Sequence, residues 1–110
     1  MIVRNSTRGT SVSESVRILT RWGETAQGLI AETTPEAVLL RTRWGIHTFG
    51  VKFPIDVVVY DSTNTVRAVC ESLKPFRFFF WNPQWENVLE LPTGTIAATR
   101  TEVGDTLQCE

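Results

Sequence analysis

The chain has 110 residues and a mass of 12.4 kDa, with 42% hydrophobic and 21% charged residues, the make-up of one globular domain and too little for two. Eleven Lys and Arg against twelve Asp and Glu leave a formal charge of −1, so neither a nucleic-acid nor an anionic-membrane partner is expected from the overall balance, although a local basic patch is compatible with it. Cys70 and Cys109 are too few for a disulfide scaffold and lack the paired spacing of a zinc site, so both read as small apolar residues.

In chain order, the opening residues lack the apolar core of a secretory signal, and no later apolar run is long enough to span a bilayer. The expectation is a cytoplasmic location for the chain as it stands, or an exported one if a leader has been removed. Residues 5–13, dense in Ser, Thr and Gly, read as an exposed loop or a loose hairpin turn. Residues 15–19 alternate polar and apolar side chains as a strand with one wet face does. Thr20 then offers a cap for a short helix over residues 21–27, stopped by Gly28. After Pro35, the apolar run at 37–40 suits a buried strand or a core-facing turn.

The clearest hairpin joins residues 55–60 to 66–70 through the turn-forming Asp61-Ser62-Thr63-Asn64. Residues 88–91 form a further strand, ended by Pro92-Thr93-Gly94; residues 95–100 suit one or two helical turns, and Gly104-Asp105 turns into a closing strand at 106–109. The fold predicted from this pattern is mainly β, a compact barrel or two packed sheets with one or two short helices, in a single domain over residues 1–110.

The run Trp44-Gly45-Ile46-His47-Thr48-Phe49-Gly50-Val51-Lys52-Phe53-Pro54-Ile55-Asp56 resembles the bacterial and archaeal family called domain of unknown function 192. The resemblance extends upstream to Gln27-Gly28-Leu29-Ile30. Downstream it takes in Leu73-Lys74-Pro75-Phe76-Arg77, Val88-Leu89-Glu90-Leu91-Pro92-Thr93-Gly94 and Val103-Gly104-Asp105. This sequence departs from the family pattern at Val51, where relatives usually carry Met, which removes a flexible thioether. The resemblance implies no reaction, because none is assigned to the family; it does imply that many relatives are exported or lipid-anchored.

His47 is the one histidine and the one side chain that titrates unperturbed near neutral pH, which makes it the first candidate for proton transfer. In a strand it would share a face with Phe49 and Val51, and the favoured reading is a hydrogen-bonded core histidine. Asp56 alternates with Val58 and Tyr60 and reads first as a structural carboxylate; its rival role is to orient His47 as an acid/base pair. Glu90, on the Val88 face of its strand, is expected to pair with Lys74, Arg77 or Arg100 rather than to complete a catalytic set. Neither cysteine nor any Ser or Thr lies in a nucleophile elbow. A metal centre of His47, Asp56 and Glu90 lacks ligand spacing, so no metal and no cofactor are expected.

The densest signal is Phe76-Arg77-Phe78-Phe79-Phe80-Trp81-Asn82-Pro83-Gln84-Trp85, which holds six of the chain's eleven aromatic residues. In an extended strand Phe78 and Phe80 cannot share a core surface with Phe79 and Trp81, so one pair faces water, a second core or a partner. The alternative is an irregular flap with its rings tucked beneath it. The leading expectation is a non-catalytic module that meets a ligand or protein partner through Lys74, Arg77, Phe79, Trp81 and Trp85. Its rival is an enzyme built on His47 and Asp56, and a homo-oligomer is compatible with either.

Overall fold

The computed structural model describes residues 1–19, 37–49 and 51–110. The helix expected at 21–27, with its Thr20 cap and Gly28 stop, lies outside the described residues. Ten strands and one short helix are present among those described: β1 (Val3–Asn5), β2 (Thr10–Ser13), β3 (Val16–Leu19), β4 (Ala37–Arg41), β5 (Gly45–His47), β6 (Ile55–Tyr60), β7 (Val66–Leu73), β8 (Phe78–Phe80), β9 (Asn87–Pro92), α1 (Thr95–Thr99) and β10 (Leu107–Cys109).

These strands form a central five-stranded sheet in the order β3-β4-β9-β6-β7, a three-stranded sheet β10-β1-β2, and a two-stranded ribbon β5-β8. The β3–β4 pair is parallel and every other pair antiparallel. The architecture is mainly β and of the packed-sheet kind; no barrel closes among the described residues.

Both faces of the central sheet are covered, which is why β6 is buried at all six positions and reads as a nearly continuous apolar run. On one face, Val58, Tyr60, Leu89 and Leu91 meet Val3, Val12 and Leu107 of the three-stranded sheet, with Ile96 of α1. On the other, Val38, Leu40, Ile55, Val57, Val59 and Val88 meet Trp81, with Ile46, Phe79 and Trp85 packed alongside. Alternation along β6 and β9 thus feeds two cores, and the ribbon is the lid of the second.

The β6–β7 hairpin closes as its turn chemistry predicts. The Asp61 carboxylate accepts hydrogen bonds from the Thr63 and Thr65 N–H groups, and Asn64 takes the left-handed conformation (φ 62°) that this residue tolerates. Residues 5–13 form the β1–β2 hairpin. The closing strand and the helix fall where expected, and α1 ends on Arg100 in the left-handed region (φ 58°).

Candidate functional site

The ribbon is built so that its two faces differ. Its register sets Gly45 opposite Phe80, Ile46 opposite Phe79 and His47 opposite Phe78. Ile46 and Phe79 point down into the second core, so the pleat sends His47, Phe78 and Phe80 outward. Phe80 is 68% exposed and Phe78 57%, whereas Trp81 is only 8% exposed. The Trp81 indole N–H is satisfied by donating to the Trp85 carbonyl at 2.7 Å. Gly45 is needed under this arrangement: a Cβ there would come within 2.5 Å of the Phe79 carbonyl oxygen and 2.6 Å of the Phe80 ring.

The outward rings form one run. His47 lies 5.3 Å from Phe49, Phe49 lies 5.1 Å edge-on from Phe78 and 6.0 Å from Phe76, and Phe78 stacks on Phe80 at 5.6 Å with planes 10° apart. Trp44, also exposed, turns into β5 through the left-handed region and accepts the Trp81 backbone N–H on its carbonyl.

Thr48 fixes this face. It is completely buried, and its hydroxyl donates to the Lys74 carbonyl at 2.6 Å and accepts from the Arg77 N–H at 2.9 Å. Its backbone N–H donates to the Arg77 carbonyl and its carbonyl accepts from Phe76. Four bonds from one residue therefore tie the 74–77 turn, in which Phe76 takes a positive φ of 62°, against the end of β5.

The structure separates the residues that sequence reasoning grouped. Phe79, Trp81 and Trp85 belong to the second core and are not the outward rings; those are Phe76, Phe78 and Phe80. The alternation reading of the aromatic stretch holds and the irregular flap does not: residues 78–80 form a strand, with alternate rings under the ribbon and their neighbours in water. Lys74 and Arg77 are exposed beside the outward rings. His47 is not a core histidine: it is exposed, its Nδ1 accepts the Phe49 N–H at 3.3 Å, and the chain turns after it so that, of His47, Phe49 and Val51, only Val51 goes inside.

Asp56 lies across the central sheet from the ribbon, on the first-core face with Val58 and Tyr60, and is completely buried. Ile55 pairs with Leu73 and Val57 with Cys70, so β7 bulges opposite Asp56 and leaves the Ser72 N–H without a strand partner. One Asp56 oxygen accepts that N–H and the other accepts the Ile96 N–H, both at 2.8 Å. Gly94, at the helix N-cap, has no side chain to do the second task. Both Asp56 oxygens are thus engaged in architecture, and His47 and Asp56 form no acid/base pair.

Glu90, buried on the second-core face, stands in register with Val38 and Val57, so the sheet backbone lies between it and Asp56. Among the described residues no group of His, Cys, Asp and Glu is placed to hold a metal ion. Burial, then the charges of Asp56 and Glu71, push the Cys70 thiol up, away from the thiolate that nucleophilic attack needs. A cleft of about 630 Å³ on the first-core side is lined by Met1, Ile18, Leu39, Arg41, Tyr60 and Cys109 among others. Burial, then Cys109 at 3.7 Å, raise the Tyr60 hydroxyl well above its usual range, which keeps it protonated.

Sequence reasoning missed the polar cluster that closes the three-stranded sheet. Asn5 and Asp105, both buried, are joined at 2.9 Å, and Asp105 also accepts from Arg8 Nε and the Glu102 N–H. The Val103-Gly104-Asp105 motif was the available signal for one half of it.

With the ribbon, the Thr48 staple and the Asp56 junction in place, the sequence matches the DUF192 family (uncharacterized ACR) over residues 3–109. The chain belongs to this family. No curated protein matches it. Among solved structures, a protein of unknown function from Novosphingobium aromaticivorans superposes with a TM-score of 0.83 at 15% identity, covering 98% of this chain and 82% of that one. A Sinorhizobium meliloti protein named as a "putative transcription regulator" superposes with a TM-score of 0.84 at 19% identity, covering 97% of this chain and 89% of that one. At such identities the likeness is one of fold, so the family's packed-sheet architecture is secure and its chemistry has to be argued from side chains. No helix among the described residues is long and apolar enough to cross a membrane.

Proposed function

We propose that this member of the family is a single non-catalytic binding domain whose docking face is the outer side of the β5–β8 ribbon. The observation that carries the reading is the run of exposed rings, Phe49, Phe76, Phe78 and Phe80, on one pre-formed face. Water contact over so many large apolar groups is costly, and an exposed contiguous patch of this kind ordinarily marks an interaction surface. The backbone under the rings is already ordered by Thr48 and Gly45, so little conformational freedom is lost on binding. The enzyme reading has no comparable support, because Asp56 is committed to Ser72 and Ile96.

Photo-crosslinking tests the face directly. Benzoylphenylalanine in place of Phe80 should give adducts in cell extract containing membranes, whereas the same group in place of the exposed Gln108, on the far three-stranded sheet, should give none. Equal labelling from both positions, or none from position 80, would refute the binding face.

A further inference from the structure

We propose that the ribbon face docks on an anionic lipid surface, an assignment that rests on the ribbon being a binding face at all. The net charge of −1 conceals a strong asymmetry. The two stretches that build the ribbon, residues 43–54 and 72–85, contain Arg43, Lys52, Lys74 and Arg77 and no Asp or Glu, with Glu71 and Glu86 directly flanking the second. The remainder of the chain holds seven Lys and Arg against all twelve acids, a formal −5. Arg43 is engaged by Glu86 at 3.2 Å, while Lys52, Lys74 and Arg77 are exposed and make no ion pair among the described residues. Lys74 and Arg77, which flank Phe76 in the chain, are therefore left without a neutralising partner among the described residues, and they draw this face toward a negative surface.

Charge complementarity also decides between occupants. A second copy of this chain, meeting the face about a two-fold axis, would bring Lys52, Lys74 and Arg77 against the same three cations. A duplex groove or a peptide strand is read by directional hydrogen bonds, which the phenyl rings of Phe49, Phe76, Phe78 and Phe80 do not offer, whereas a single strand, which stacks on rings, is the competitor the test includes. An anionic bilayer asks for no such pattern. Rings enter the boundary between headgroups and acyl chains, and Lys and Arg reach the phosphates while their stems lie along apolar surface.

The size fits as well. At the ~200 Å² typical of an aromatic side chain, the four exposed rings in contact offer roughly 470 Å² of apolar surface, within the range of the largest patch a monomer shows. Each basic residue near an anionic leaflet strengthens binding by about fivefold, so three give up to about a hundredfold preference over a neutral one.

Co-sedimentation of the whole chain with vesicles of phosphatidylcholine alone, or of phosphatidylcholine with phosphatidylglycerol, tests this. Binding to the anionic vesicles should be at least about tenfold tighter, and should weaken as salt rises. Lys74→Gln with Arg77→Gln should remove most of that preference. Phe78→Ser with Phe80→Ser should abolish binding to both vesicles, with far-ultraviolet circular dichroism unchanged because both rings are exposed in the free protein.

Absence of wild-type sedimentation would overturn the lipid assignment. So would equal binding to both vesicles, or binding that survives the double Phe substitution. Tighter, salt-sensitive binding of a single-stranded oligonucleotide than of the anionic vesicles would overturn it in favour of nucleic acid. If vesicles fail while a benzoylphenylalanine at position 80 still labels a protein, the lipid falls and the binding face stands; if both fail, both fall.

Discussion

Phe80 and Trp81 are neighbours in sequence, yet truncating them should have opposite consequences. Trp81 is 8% exposed, tilts against Phe79 at 5.6 Å and donates its indole N–H to Trp85. Replacing such a ring by Ala costs about 3–5 kcal/mol, a large share of the ~5–15 kcal/mol that holds a domain of this size together. Phe80 is 68% exposed, so only about 60 Å² of its surface is withdrawn from water, worth no more than about 1.5 kcal/mol. At roughly 4–8 °C per kcal/mol, Trp81→Ala should lower the melting temperature by at least about 12 °C. Phe80→Ala should cost several degrees, and less once the rings already cluster in the unfolded chain. Urea unfolding followed by far-ultraviolet circular dichroism measures both without depending on the tryptophan that is removed. Equal losses, or a larger loss for Phe80→Ala, would refute the inside-outside phase assigned to β8 and with it the binding face.

Asp56→Ala should destabilise by about 2–5 kcal/mol, because it strands the buried N–H groups of Ser72 and Ile96, while Asp56→Asn, which keeps one acceptor oxygen, should cost less; denaturant titration checks both. Thr48→Val should cost about 1–3 kcal/mol and speed hydrogen exchange at the Arg77 amide, with vesicle binding weakened more than stability alone accounts for. Burial alone would raise the Asp105 carboxyl, but hydrogen bonds from Arg8, Asn5 and the Glu102 N–H outweigh it and hold it below its ordinary 3.8. Because the folded state then binds fewer protons than the unfolded one, stability is present above that value and is lost as pH falls through the depressed one. Asp105→Asn should flatten that acid limb in urea titrations at successive pH values, and an unchanged slope would count against the cluster. The Asp61 carboxyl, held low chiefly by the Thr63 hydroxyl, should leave a residual slope of the same sign.

The strands were legible because their side chains obey simple periods. Residues 55–60 carry five β-branched or aromatic side chains and a turn signal, and they form β6. Asp56 is the structural carboxylate its place in an apolar run first suggests, but the sequence did not give its partners. Its partners are the N–H of a bulge sixteen residues on and that of a helix forty residues on, and neither is implied by local pattern. His47 did mislead. Its alternation with Phe49 and Val51 presupposed a strand running on past it, but β5 stops at His47 and Thr48 turns the chain inward.

The aromatic stretch shows where sequence reasoning stops for a physical reason. Period two required the pairs Phe78/Phe80 and Phe79/Trp81 to part company, and they do. It is silent on which pair goes in, because a one-residue slip of β8 against β5 would exchange them. The phase is set across the ribbon. Ile46 belongs to the core and stands opposite Phe79, and Gly45 leaves room only for a ring laid over it from Phe80. The deciding residues are thus Gly45 and Ile46, some thirty-five residues upstream. The charge reading fails for a related reason: a sum of −1 records how many ions the chain carries and nothing of where folding puts them. Only the pairing of β5 with β8 brings the two acid-free stretches side by side.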